Sequence, residues 1–173
     1  MKSQKSLHLL VTAALFAAAI TIMTAYILHI PLPTGGYVHL GDALIYLAAC
    51  LLPLPYAAGA AAIGAGLADL LTAPMWVLPT LVIKALVVLP FTSRRETLLC
   101  PRNAAAVVIS GLLSPALYAL ANVGMTGTWA AFVPQFLGTL VQAVGSGAVF
   151  LVLAFALDKV GLKSRLAPQL ART

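Results

Sequence analysis

From roughly Leu7 to Leu28 the chain runs without an ionised side chain, and five further apolar segments follow, at Asp42–Leu52, Tyr56–Leu71, Trp76–Phe91, Ala104–Ala121 and Phe132–Leu157. A helix that crosses the hydrocarbon core needs roughly 20 apolar residues, so the pattern directs this chain to a bundle of membrane helices. The first run is too long for a signal-peptide core, and no small-residue cleavage site follows it. Charged residues make up 8% of the chain and hydrophobic ones 62%, against roughly 25% and 45–50% in a soluble domain. The breaks carry turn chemistry: 31-PLPTGG-36, 53-PLP-55, 72-TAP-74, 92-TSRRE-96 and 122-NVGMTGT-128. The expectation is an all-α membrane protein. Its transmembrane domain is a six-helix bundle over residues 7–158, with a short N-terminus at 1–6 and a basic tail at 159–173.

The net charge of +6 would suit nucleic acid, but the placement of the charges excludes it as a partner. Lys2 and Lys5 precede the first segment, and Arg94, Arg95 and Arg102 lie between the fourth and fifth. Lys159, Lys163, Arg165 and Arg172 follow the sixth. With six crossings these all fall on one side, while the loops at 29–41, 73–75 and 122–131 hold no Lys or Arg. Basic loops stay in the cytoplasm, so both termini are expected there. Topology and contact with the lipid bilayer are role enough for most of these residues. Cys50 and Cys100 match no metal or redox spacing and read as unpaired.

Lys84 stands apart, in the middle of the fourth segment. A charge at that depth costs about 2.5–3.5 kcal/mol on insertion scales, so it needs a partner or a cavity. Asp69, near the end of the third segment, is one candidate partner; a ligand is the other. The second segment is short, about 17 Å at 1.5 Å per residue against a core of about 30 Å. Either it continues through Pro53 and Pro55, or the loop 29-HIPLPTGGYVHLG-41 folds down to meet it. Irregular backbone at that depth must be buried in protein or line a cavity. Tyr37, His39 and Asp42 would then form a lid over a pocket. Alternatively Asp42 caps its helix, and Tyr37 and His39 are interfacial residues.

The loop 36-GYVHLGDALIYLAA-49, the alanine-rich first segment, the hairpin with 66-GLADLLTAP-74 and the stretch 80-TLVIKAL-86 together resemble the S components of energy-coupling factor (ECF) transporters. The likeness is greatest to the branch that includes the riboflavin-type S components and covers roughly Leu7 to Leu157. It implies a bundle in a prokaryotic cell membrane with a substrate pocket near the outer face, closed by the first outer loop. It further implies a vitamin-like small-molecule ligand, a transmembrane coupling subunit and two cytoplasmic ATPases. The chain carries no Walker A motif of its own, so it is expected not to be an enzyme, and no cofactor is implied. In that family small residues on the first helix dock onto the coupling subunit. Ala13, Ala14, Ala17 and Ala18 match as two interleaved small-xxx-small pairs, which let helix backbones approach closely. Packing within the chain is the other reading of them.

A pocket of this kind draws its polar groups from the loop and from the outer halves of the later helices. The candidates are Tyr37, His39, Asp42, Lys84, Asn122, Trp129, Gln135 and Gln142. Tyr118 ends the outer half of the fifth segment, and Gln135, Thr139 and Gln142 share one helix face. Such a stripe either meets a ligand or hydrogen-bonds to neighbouring helices. Trp76 and Trp129 read as interfacial aromatics or as the wall of a heterocycle site. A metal site from His29, His39 and Asp42 lacks a fixed helical spacing. A serine protease around 144-VGSGA-148 lacks a histidine after Ser146, and only His39 remains to activate it. A stand-alone secondary transporter or channel is the alternative function, although no repeat relates the two halves.

Overall fold

The computed structural model describes residues 2–27, 29–31 and 37–170. The centre of the first loop, with Gly35 and Gly36, lies outside them, as do Leu28 at the expected end of the first helix and Arg172 in the expected tail. Seven α-helices form most of the described chain: α1 Lys2–Ala25, α2 Gly41–Leu51, α3 Leu54–Thr72, α4 Val77–Leu86, α5 Pro101–Thr126, α6 Phe132–Lys159 and α7 Leu162–Leu170. Single 3-10 turns at Pro74–Trp76 and Trp129–Ala131 lead into α4 and α6. In the first loop, β1 (Ile30–Pro31) pairs antiparallel with β2 (Tyr37–Val38), Ile30 opposite Val38.

Four helical stretches are long and apolar enough to cross a membrane, Ser6–Ala25, Leu54–Thr72, Pro101–Thr126 and Trp129–Lys159. α2 and α4 hold 11 and 10 residues, about 17 and 15 Å of helix. Leu78, Val82, Val141 and Val152 are 61–76% exposed. Apolar faces of that kind on an all-helical chain are what lipid covers, and the chain is an all-α membrane protein.

Prolines set several helix boundaries. Pro55 and Pro101 sit in the first turns of α3 and α5, where a missing N–H costs nothing. Pro90 has no N–H to offer the carbonyl four residues earlier, so α4 stops at Leu86 although the apolar segment continues to Phe91. Just past that end, Ser110 of α5 donates to the carbonyl of Val87 at 2.6 Å. Gly127, at φ +71°, closes α5 in the left-handed conformation. Gly161, at φ +64°, turns the chain after α6. The residues expected as a basic tail therefore continue as α7, which packs against α1 and α6.

The tightest seam joins α1 to α3. Ala13, Ala17 and Ile20 are buried, as are Ala57, Ala60, Ala61, Ala65 and Ala68 opposite. A Cβ built on Gly64 would come within 2.7 Å of the Ala17 carbonyl oxygen and 3.0 Å of its Cα, so the two backbones touch there. Thr21 adds a bond from its hydroxyl to the Gly64 carbonyl at 2.8 Å. The alanine quartet of α1 is thereby divided. Ala13 and Ala17 pack inside the chain, and Ala14 and Ala18 are exposed.

At the end of the bundle that carries the basic residues, the loop after α4 is tied down. Asn103 accepts from the Thr92 N–H at 2.8 Å and donates to the carbonyls of Thr92 and Leu98. Asp158 accepts from the N–H groups of Leu98 and Leu99 at 2.8 and 2.9 Å. Tyr46, Phe91 and Phe150 fill the interior above this loop, with ring centroids 4.9–6.0 Å apart.

Gly64→Val places two methyl groups against backbone that cannot retreat. Overpacking of this kind costs about 1–3 kcal/mol, so the melting temperature in detergent should fall by several degrees. Gly59→Ala, whose new methyl meets nothing within 4 Å, should leave it level or raise it.

Candidate ligand-binding site

Asp42 opens α2 and Lys84 lies near the end of α4, yet their side chains meet: Lys84 Nζ is 2.6 Å from Asp42 Oδ1, both residues 1% exposed. Gln142 of α6 donates to the other carboxylate oxygen at 3.0 Å. Lys84 Nζ also lies 5.2 Å from the centroid of the Tyr118 ring on α5. One cluster thus joins α2, α4, α5 and α6. In place of the candidate partner Asp69, the structure pairs Lys84 with Asp42. Asp42 makes no capping bond, because its carboxylate is held by Lys84 and Gln142.

The capping task falls to His39. Its Nδ1 accepts the Gly41 N–H at 3.0 Å, which puts the ring proton of a neutral imidazole on Nε2. A Cβ on Gly41 would overlap Thr24 Oγ1 and come within 3.0 Å of His39 Nδ1, so a larger residue at this turn would push both side chains out of place. Ser146 Oγ donates to the backbone carbonyl of His39 at 3.3 Å; it fastens the loop to α6 and does not bond the imidazole. These bonds hold the start of α2 deep in the bundle. Lys84 is seven residues into α4 and Gln142 ten into α6, about 10 and 15 Å below their first residues.

Nearer the loop end of the bundle, Tyr37 O–H donates to Asp69 of α3. His29 stacks on Tyr37 with centroids 4.0 Å apart, and its Nδ1 bonds the Thr24 carbonyl at 3.1 Å. Beneath this lies a partly open cavity lined by Tyr37, His39, Asp69, Trp76, Tyr118, Gln135, Thr139 and Gln142. The centre of a water-sized sphere can move through about 30 Å³ of it. That is room for a water or two, not for a drug-sized molecule in this conformation.

Two lining residues hold unsatisfied polar atoms. Gln135 donates from Nε2 to Thr139 at 3.1 Å, and its Oε1 is buried without a partner among the described residues. Trp76 is 3% exposed, and its Nε1 also lacks a partner among the described residues. Buried polar groups are nearly always hydrogen-bonded, so an unpaired acceptor and an unpaired donor among the lining residues are groups that a ligand could satisfy. Trp76 and Tyr118 give that wall its aromatic surface, with centroids 5.7 Å apart. Thr80 and Tyr118 bond each other through their hydroxyls at 2.7 Å.

Of the residues expected at the site, Tyr37, His39, Gln135 and Gln142 line the cavity; Asp42 and Lys84 sit behind Gln142 as a closed ion pair. Asn122 is buried but bonds the Ala131 carbonyl, holding the turn between α5 and α6. Trp129 is 70% exposed and does not line the cavity. Asp69, Trp76, Tyr118 and Thr139 complete the lining. Their residue types are legible in the sequence; their convergence follows from how deeply α2 and α4 sit. Among the described residues, no three His, Cys, Asp or Glu side chains converge to hold a metal ion.

The Asp42–Lys84 pair gives a stability prediction. Removing one member strands a buried charge, at about 3–5 kcal/mol. Asp42→Asn or Lys84→Met alone should strongly lower the melting temperature in detergent. The double variant Asp42→Asn/Lys84→Met should recover part of that loss, a non-additivity diagnostic of direct coupling.

No curated protein gives a significant match to this chain. The family model described as "ECF-type riboflavin transporter, S component" matches residues 4–159. That span takes in every helix from α1 to α6, the loop that dips to Asp42 and the whole cavity, and the chain belongs to that family of transporter substrate-binding subunits.

Proposed function

We propose that this chain captures riboflavin, or a similarly uncharged flat heterocycle, from outside a prokaryotic cell and delivers it to an ATP-driven ECF module. In this reading α1 to α6 make six crossings, and the termini and basic loop lie in the cytoplasm. The loop that carries Tyr37 and His39 then faces outward as a lid. The family supports a substrate-binding role. The single observation that favours this ligand class is the pair of unsatisfied groups among the lining residues, Trp76 Nε1 as donor and Gln135 Oε1 as acceptor. A heterocycle that carries both a carbonyl and an N–H offers a partner of the right kind to each.

The charge of the wall points the same way. Lys84 is neutralised by Asp42, and the described lining holds one acidic residue, Asp69, and no Lys or Arg. A phosphate ester or carboxylate would meet no free cation there. An anionic ligand held by Lys84, which a lone lysine in the bundle would favour, is disfavoured by the 2.6 Å contact with Asp42.

The cavity must enlarge to admit such a molecule, and the lid is the part to move. Its described attachments near the mouth are the Tyr37–Asp69 bond and the His29–Tyr37 stack. Release inside would come from the partner complex, a transmembrane coupling subunit with two ATPases that tips the bundle in the membrane. Ala14 and Ala18 on the exposed side of α1 are the small residues open to that subunit. The mechanism asks for no cofactor and no catalysis by this chain.

Quenching of flavin fluorescence on titration with the purified protein tests the ligand. Riboflavin should bind with sub-micromolar affinity, and its phosphate ester at least ten-fold more weakly, a difference of about 1.4 kcal/mol. Gln135→Ala should cost about ten-fold in affinity, and Trp129→Ala, outside the cavity, should cost nothing. Equal binding of the ester, or an unaffected Gln135→Ala, would refute the ligand class. Uptake into liposomes by this chain alone, without ATP or partners, would favour a stand-alone transporter.

A further inference from the structure

A second and larger cleft opens at the opposite end of the bundle, between the α2–α3 turn, the loop after α4 and α7. The centre of a water-sized sphere can move through about 1060 Å³ of it. Its floor is apolar, with Leu51, Leu52, Val88 and Phe91 among the lining residues. Its ionic lining is lopsided: Arg94, Arg95, Arg102 and Lys163 against Glu96 alone. Positive charge at a membrane surface needs no special explanation. Lys163 is different, because it is not at the surface. It is 8% exposed, and its Nζ has no hydrogen-bond partner among the described residues.

A buried ammonium without a partner is strongly unfavourable. Asp158 on α6 attracts Lys163 through space, but its carboxylate oxygens are turned to the Leu98 and Leu99 amides and make no hydrogen bond to Nζ. Burial lowers the pKa of Lys163 below the ordinary lysine value; an anion seated beside it would reverse that pull. The surrounding arginines retain donors for the same anion. Arg102 uses Nε on the Pro90 carbonyl at 3.1 Å, and Arg94 and Arg95 are exposed at the rim.

We infer that this cleft is a phosphate-group site, in which Lys163 from the wall and Arg94, Arg95 and Arg102 from the loop after α4 hold one phosphate above an apolar floor. Guanidinium groups suit a phosphate because their forked donors match its oxygens, and the floor suits the acyl chains of a lipid. The same chemistry would accept a free phosphate. The site is distinct from the ligand cavity and does not depend on which vitamin that cavity takes.

The test is a thermal-shift series on the full chain in a zwitterionic detergent. The probes are phosphatidylglycerol, phosphatidylcholine and inorganic phosphate. Phosphatidylglycerol or inorganic phosphate should raise the melting temperature by several degrees and phosphatidylcholine should not. A shift with phosphatidylglycerol alone identifies a lipid headgroup; a shift with inorganic phosphate as well identifies a free-phosphate site. Lys163→Gln should abolish the shift, whereas Arg165→Gln, an exposed neighbour outside the lining, should keep it. Should Lys163→Gln fail to fold, the rim variant Arg94→Gln/Arg95→Gln should weaken apparent probe affinity at least five-fold. The inference is overturned if no anionic probe shifts the wild type. It is equally overturned if the Lys163 or rim variants respond as Arg165→Gln does.

Discussion

The ion pair between Asp42 and Lys84 is the constraint on which the loop end of this bundle depends. Each residue alone would be intolerable at 1% exposure. Together, with Gln142 on the second carboxylate oxygen, they satisfy one another at a depth water does not reach. Because Asp42 is the second residue of α2, satisfying it requires α2 to begin deep within the bundle. The chain must then descend from the end of α1 to that point. The short second helix, the dipping loop and the cavity above it follow from that single placement.

The descent carries exposed main-chain groups into an apolar interior, and the nearby polar residues answer them one by one. His39 accepts the Gly41 N–H, Ser146 donates to the His39 carbonyl, and His29 bonds the Thr24 carbonyl. An interior that admits irregular backbone must hydrogen-bond it. The histidines and serine that invite a catalytic or metal-binding reading are therefore explained by the architecture. What they leave unanswered is informative: Trp76 Nε1 and Gln135 Oε1, of two cavity-lining residues, have no hydrogen-bond partner among the described residues.

Much of this was legible in the sequence. Apolar runs and prolines located six helices to within about five residues, and the short span from Asp42 to Pro53 left two readings, a helix continued through the prolines or a loop that dips to meet it. Gln135, Thr139 and Gln142 were placed on one face by helical spacing alone. Which acid meets Lys84 was not legible. Asp69 is closer in sequence, but it lies near the end of α3, where Tyr37 bonds it, while Lys84 lies near the far end of α4. The choice rests on relative depth, which hydropathy does not encode. Nor did the runs show that α4 would stop at Leu86; that followed from Pro90, inside an otherwise apolar stretch. The folding of the tail into α7 turned on Gly161, a residue whose left-handed backbone has no hydropathic signature.

The distribution of close contacts also limits how the cavity can open. α1 and α3 meet backbone to backbone at Ala17 and Gly64, and Thr21 bonds across the seam. A sliding of these helices would force main-chain atoms through one another, since packed interiors have no slack at that spacing. α2, α4, α5 and α6 are clamped by the ion pair and its neighbours. The ladder of β1 and β2, by contrast, is two residues long on each strand, and Tyr37 on it reaches Asp69 through one side-chain hydrogen bond. In the proposed function an opening of these strands would have to break that bond and the His29–Tyr37 stack, and it would leave the Asp42–Lys84 pair, with its partners on α2, α4 and α6, in place.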